Sequence, residues 1–269
     1  MKILALSDTH LGHTSWNGFG ERAWAEAERL SRETQIDVLL FCGDLCEPGC
    51  TSLSEGLKLM SRVVATKKLW VAGNNDIETA YRYMGGSVFN YANWLATEAF
   101  PHGVHVLDYG PVQWGSYTFV GGFGFYDLSL WRAPSVRSPN FPHSLEVIRR
   151  DADDFHRKDM GTTVAELFSF CQDQIQRHLR AVSPESKVIV ATHTIPDAGM
   201  VLYGHSPAFD FQNAWMGWDD SNMPHPIALT PNLALQFCGH THRSKRIDRP
   251  GTAPLVNVSG QDQPFVYDL

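Results

Sequence analysis

Five short apolar runs punctuate the chain, and each breaks off into a polar cluster: KILALSDTH, DVLLFCGDL, KLWVAGNND, KVIVATHT and LALQFCGHTH. Apolar runs without alternation are the pattern of strands covered on both faces. Between the first three lie GERAWAEAERLSRET and SLSEGLKLMSRVVA, with apolar residues at the three- and four-residue spacing of helices. Strand and helix therefore alternate, which predicts an α/β fold with a central sheet. Farther on, VHVLD and VQWGSYTFVGG read as a meander that turns at Gly110 and Pro111. An aromatic, proline-bearing stretch from Phe123 to about Phe141 precedes helical segments around Ser144 to Phe155 and Val164 to Ala181. A second irregular stretch, Thr194 to Pro231, carries Phe209, Phe211, Trp215 and Trp218, and the tail from KRID to FVYDL reads as two or three closing strands. No repeat or linker interrupts this order, so one domain is expected over 1–269, with inserts at about 123–181 and 194–231.

Composition narrows the function classes. Hydrophobic residues make up 43% of the 269 and charged residues 19%, enough to bury a sizeable core. A net charge of −7 argues against a broad electrostatic grip on extended nucleic acid, while small anionic substrates stay open if local cations or metal ions outweigh the global sign. No apolar run is long enough to cross a membrane, and MKILALSDTH turns polar too soon for a signal segment, so a cytoplasmic protein without a membrane partner is expected. Cys42, Cys46, Cys50, Cys171 and Cys238 form an odd set that suits buried packing better than a disulfide framework or a thiolate cluster.

The polar clusters carry the chemistry because ligands gather at the carboxyl ends of strands in α/β sheets. Asp8, His10, Asp44, Asn74, His193, His240 and His242 all fall just past an expected strand. Asp8 and His10 are two apart, as are His240 and His242, and in extended chain such pairs point to one side. Gly43, Gly73 and Gly239 each precede one of these groups and allow close backbone approach. Four imidazoles, two carboxylates and one amide are too many for a single ion; two ions sharing a carboxylate fit better. Nitrogen and oxygen donors without thiolate suit Mn²⁺ foremost, or Fe, Co²⁺ or Zn²⁺, ahead of Mg²⁺ or Ca²⁺. Two such ions about 3.5–4 Å apart clamp the oxygens of an in-line displacement, the chemistry of phosphoester hydrolysis.

These motifs resemble those of the calcineurin-like metallophosphoesterase family, in family order: DTH at Asp8 to His10, GDL at Gly43 to Leu45, GNND at Gly73 to Asp76, TH at Thr192 and His193, and GHTH at Gly239 to His242. The resemblance implies a β-sandwich core flanked by helices, with the helical and aromatic inserts as a cap. It further implies that Asp8, His10, Asp44 and His242 hold one metal and Asp44, Asn74, His193 and His240 the other. Asp44 would bridge, and a metal-bridging hydroxide would be the nucleophile attacking a small phosphoester, foremost a phosphodiester and nucleotide-like among the options. A DNA nuclease, suggested by SDTHLGH at Ser7 to His13, and a non-catalytic metal-bound scaffold are the alternatives.

The family commonly has His where this chain has Asn75, oriented by the acid that is Asp76 here. An amide donates a hydrogen bond but is no proton donor near neutral pH. Asn75 and Asp76 thus mark the expected leaving-group side, with His13, and after it His205 and His225, as candidate donors. For the basic run HRSKRID, a continuing strand would turn Arg243 and Lys245 away from the face of His240 and His242. The aromatic stretch from Phe209 to Trp218 is expected to form the core of a lid before a base-stacking surface.

Overall fold

Residues 1–13, 18–48, 52–132, 144–201, 212–219, 227–259 and 264–269 are described in the computed structural model. The first three apolar runs form β1 (Lys2–Leu6), β2 (Ile36–Phe41) and β3 (Ala65–Trp70), which pair in parallel; β4 (Val104–Val106) extends them. Antiparallel β11 (Phe265–Asp268) closes the other side, giving the order β11-β1-β2-β3-β4. The crossovers are α1 (Phe19–Glu33), α2 (Ser52–Arg62), and α3 (Asn74–Met84) followed by α4 (Tyr91–Ala99).

A second sheet holds β5 (Val112–Trp114), β6 (Tyr117–Gly122), β7 (Lys187–Thr192), β8 (Leu233–Cys238), β9 (Lys245–Ile247) and β10 (Leu255–Asn257), in the order β5-β6-β7-β8-β10-β9. The tail thus supplies three strands, β9, β10 and β11. Between β6 and β7 come α5 (Leu145–Met160) and α6 (Val164–Arg180), close to their expected limits. Ser144 accepts the N–H of Val147 at the start of α5, and Thr163 with Glu166 forms a capping box on α6.

The lack of alternation in the apolar runs has a direct cause. Ile3 and Ala5, with Val38, Leu40 and Leu69, face Phe119, Ile189, Leu235 and Phe237 of the second sheet; Leu4 and Leu6, with Leu39 and Phe41, face Trp24, Leu57 and Ile77 of the helices. Both faces of β1 and β2 are therefore dry, and α6 covers the outer face of β6 and β7 through Ile175 against Val120 and Val190. This is a β-sandwich flanked by helices, as the motifs implied. Cys42, Cys46, Cys171 and Cys238 are buried, in line with the packing role; Cys50 lies outside the described residues. Among the described residues no helix is long and apolar enough to cross a membrane.

The expected meander is not formed. β4 pairs with β3 and β5 pairs with β6, so residues 107–111 cross from one sheet to the other. Asp108 fixes the crossing: its buried carboxylate accepts N–H bonds from Ala72 at 2.8 Å and Phe123 at 2.8 Å, and the Tyr91 hydroxyl at 2.7 Å. Leu107 N–H still bonds Trp70 in the first sheet at 2.7 Å, whereas Pro111 has no N–H to continue a ladder. The tight turn falls instead at Gly115 and Ser116 between β5 and β6, with Gly115 at φ 61°. Asp108→Ala would strand buried N–H groups on both sheets, and is expected to cost about 2–4 kcal/mol in urea-induced unfolding.

Candidate metal centre

The segments after β1, β2, β3, β7 and β8 converge on one end of the sandwich. Asp8 N–H bonds the Gly43 carbonyl at 2.9 Å and His10 N–H the Asp44 carbonyl at 3.1 Å, so the first two segments run side by side. From the other sheet, Gly239 N–H reaches the His193 carbonyl at 2.8 Å. One oxygen of Asp8 joins the halves, accepting the His240 N–H at 2.9 Å.

The paired spacings do bring their side chains together, but not through extended chain. Asp8, His10, Asp44, His240 and His242 all lie in the left-handed region, with φ of 57°, 41°, 58°, 72° and 53°. Only eight non-glycine residues among those described have positive φ, and five of them are in this cluster. Each such residue costs roughly 1–2 kcal/mol, a strain that the surrounding bonds must offset. The glycines answer to the same crowding: a Cβ on Gly73 would sit 2.2 Å from Asp44 Oδ1, on Gly43 2.5 Å from His193 Nδ1, and on Gly239 2.2 Å from Ser7 Oγ.

Two groups of ligand atoms result, Asp8 with His10 and His242, and Asp8 with Asp44, His193 and His240, each with all atoms within 4.8 Å of one another. Asp44 Oδ2 also lies 3.6 Å from His10 Nε2 and 3.5 Å from His193 Nε2, between the two sets. Asn74 adds its amide oxygen 3.2 Å from His193 Nε2. Each of three imidazoles is held by its far nitrogen: His10 Nδ1 by Glu47 Oε1 at 2.7 Å, His193 Nδ1 by the Cys42 carbonyl at 2.8 Å, and His240 Nε2 by the Trp215 carbonyl at 2.8 Å. Such bonds leave the other nitrogen of each ring to face inward, as in metal-ligating histidines. His10 Nε2 and His242 Nε2 face each other at 3.1 Å, and His193 Nε2 and His240 Nδ1 at 3.0 Å. Asp8 Oδ1, fully buried, has no hydrogen-bond partner. Inward-facing ring nitrogens beside an unsatisfied buried carboxylate oxygen are what divalent cations satisfy, so the residues fit a dinuclear site.

The charges are balanced within the cluster by protons. Burial alone would lower His10, but the nearby Asp8 carboxylate, the bond to Glu47 and the charge of Asp44 raise it to about 10. His193 is likewise pulled down by burial and raised by Asp44 to about 9, while burial and its cationic neighbour His193 drop His240 to about 4. Burial opposes ionisation of Asp8, yet His10 and His242 hold it well below the usual carboxylate range.

The other expected residues take different places. Asp76, fully buried in the first turn of α3, accepts N–H bonds from Asp44 at 2.9 Å, Leu45 at 3.1 Å and Gly73 at 2.9 Å. Burial, with the charge of Asp44, pushes it up to about 7. Asn75 N–H donates to Asp44 Oδ1 at 2.9 Å. The His13 ring sits edge-on to His10 at 6.4 Å, and the His13 backbone N–H donates to the His10 carbonyl at 3.0 Å. His205 and His225 lie outside the described residues, as do Phe209 and Phe211.

A cavity of about 700 Å³ opens over the cluster. His10, Asp44, Asn74, His240 and His242 line its floor; Met200, Val201, Trp215 and Met216 form an apolar wall; Arg243, Ser244 and Lys245 form a basic one. The expectation that Arg243 and Lys245 turn away is thus overturned, because residues 239–244 form no strand and β9 begins only at Lys245. Trp215 packs edge-on against Tyr126 at 5.2 Å, and Tyr126 is hydrogen-bonded to His156 of α5. Trp218 is buried against Val190 and Phe168, part of the core and not a stacking surface. Glu47 and the Trp215 carbonyl were not foreseen. Neither follows a strand, and a carbonyl leaves no trace in residue type.

The sequence profile of the family described as Calcineurin-like phosphoesterase matches residues 1–244. The chain belongs to that family. Its members hydrolyse phosphoester bonds with metal ions, and the buried Asp/His cluster is compatible with a dinuclear site of that kind. No curated protein sequence matches the chain significantly. Among solved structures, phosphopantetheinyl hydrolase from Mycobacterium tuberculosis is similar in fold at 19% identity and a TM-score of 0.65, over 96% of this chain and 88% of that one. A dimetal phosphatase from Danio rerio is 11% identical with a TM-score of 0.45, over 97% and 87%.

Metal must displace the protons that His10 and His193 hold at neutral pH. Apparent Mn²⁺ affinity is therefore expected to rise between about pH 6 and about pH 8, with net proton release on binding in calorimetry across buffers of different ionisation enthalpy.

Proposed function

We propose that the protein hydrolyses a small phosphodiester at two divalent transition-metal ions. The observation that carries this reading is the pair of ligand groups joined through buried carboxylates on the floor of a cavity of about 700 Å³. Asp8, His10 and His242 would hold one ion and Asn74, His193 and His240 the other, with Asp44 Oδ2 reaching both sets. The mixed imidazole and oxygen donor set accepts Mn²⁺, Fe, Zn²⁺ or Co²⁺, and Mn²⁺ is the ion proposed. When bound, the ions supply a water ionised near neutral pH and neutralise charge on the phosphoryl oxygens.

The chain's own residues define the rest. Glu47, the Cys42 carbonyl and the Trp215 carbonyl orient three imidazoles so that ligation needs no rearrangement. Asp76 ties the starts of two ligand segments together from below, a brace and not a proton donor. The apolar wall of Met200, Val201, Trp215 and Met216 accepts an uncharged arm of the diester. Lys245 brings its charge to the edge of that wall, its Nζ donating to the Gly199 carbonyl next to Met200. A cavity of this size suits a small ligand, and the net charge of −7 supports a small substrate over an extended nucleic acid. Free buried thiols at Cys42, Cys171 and Cys238 support a cytoplasmic setting.

Purified protein loaded with Mn²⁺ is expected to cleave bis(p-nitrophenyl) phosphate in preference to p-nitrophenyl phosphate. Asp44→Asn and His193→Ala should each lower turnover by roughly a hundredfold or more. A panel of cyclic nucleotides, dinucleotides, sugar-phosphate diesters and a phosphopantetheinyl conjugate, the last prompted by the Mycobacterium neighbour, would identify the diester. Absence of hydrolysis of any ester at full metal loading would overturn the proposal, and strongly salt-dependent DNA binding would favour the nuclease.

A further inference from the structure

The two adjacent amides at the start of α3 divide the work between them. Asn74 lines the cavity with its oxygen 3.2 Å from His193 Nε2, whereas Asn75 is not among the residues lining it. An amide side chain is nearly symmetric in shape, so packing alone does not choose which end faces a cation. The wrong choice would aim two N–H donors at it. Asn75 makes the choice: Asn74 Nδ2 donates to Asn75 Oδ1 at 2.8 Å, and this turns Asn74 Oδ1 toward the imidazoles.

Asn75 is itself held in that orientation. Its N–H is spent on Asp44 Oδ1 at 2.9 Å, which sets its backbone against the neighbouring ligand segment. Its Nδ2 lies 3.1 Å from His10 Nδ1, whose nearer partner is Glu47 Oε1 at 2.7 Å. Because His10 Nδ1 is spent on Glu47 and offers Nδ2 no acceptor, the Asn75 amide is fixed by its backbone bond to Asp44 and by the Asn74 Nδ2 bond that its Oδ1 accepts. The two amides form a short directed chain from one half of the site to the other, and reversing either breaks the Asn74–Asn75 bond.

We infer that Asn75 is a positioning residue that locks the Asn74 amide with its oxygen toward the second metal ion, a role that rests on the assignment of Asn74 as a ligand. Outer partners of metal ligands typically set affinity by tenfold or more, so the effect is read in metal binding and not in hydrolysis.

Titration calorimetry of the full-length protein with Mn²⁺ tests it as the ratio of the dissociation constant of the site that Asn74→Ala weakens to that of the other site. Asn75→Ala is expected to raise that ratio about tenfold. Asn75→Asp, which keeps an acceptor for Asn74 Nδ2 and loses the amide facing His10, should hold the ratio near the parent value, because the added charge acts on both ions. Unchanged melting of the metal-free variants separates the effect from misfolding. An unchanged ratio in Asn75→Ala overturns the inference, and so does an equal rise in Asn75→Asp. Asn74→Ala locates any failure. If it loses the second ion while Asn75→Ala does not, only the role of Asn75 falls; if it keeps both at parent affinity, the ligand assignment falls and this role with it.

Discussion

Asp8 and Asp44 are two carboxylates, each almost wholly withdrawn from water, that share the same few imidazoles. Two negative charges this close in a dry site are unstable unless cations stand between them. The architecture around them serves that requirement. Four imidazoles converge from segments of both sheets, and the N–H groups of Asn75 and His240 bond the carboxylates directly. Asn75 belongs to the first turn of α3, where the helix dipole adds a favourable field for the Asp44 anion. Protons on His10 and His193 can balance the charge, and divalent ions held by the same residues would balance it in their place.

The strand ends made this site legible in the sequence. A buried strand must be continuously apolar, and a polar residue directly after it must have a reason to be there, so Asp8, Asp44, His193 and His240 stood out from the many other polar residues of the chain. Backbone conformation was less legible. The two-residue spacing of Asp8 and His10, and of His240 and His242, suggests extended chain, whereas the segments use left-handed residues to aim both side chains inward. Residue type carries little warning of this, because neither Asp nor His demands positive φ. The same misreading turned Arg243 and Lys245 outward: a strand continued past His242 would alternate, but a chain curled by His240 and His242 need not.

The other departures have a common origin in long-range pairing. VHVLD and VQWGSYTFVGG are adjacent in sequence, yet β4 pairs with the remote β3, while VQWGSYTFVGG folds on itself as β5 and β6 and pairs onward with the remote β7. The carboxylate that governs the crossing, Asp108, looked like any turn residue, since its partners Ala72 and Phe123 are remote in sequence. Glu47 was equally silent, its link to His10 existing only because the segments after β1 and β2 lie side by side.

The ligands are contributed by both halves of the sandwich, with Asp8, His10, Asp44 and Asn74 following strands of one sheet and His193, His240 and His242 following strands of the other. Sheet separation is consequently a dimension of the chemistry as well as of the fold. Phe119 and Phe237, buried between the sheets, act as spacers that set the gap across which the candidate ligands of the two halves face each other. Trimming or swelling these spacers would retune the site from the interior, so the hydrophobic core behaves as a gauge for the metal centre.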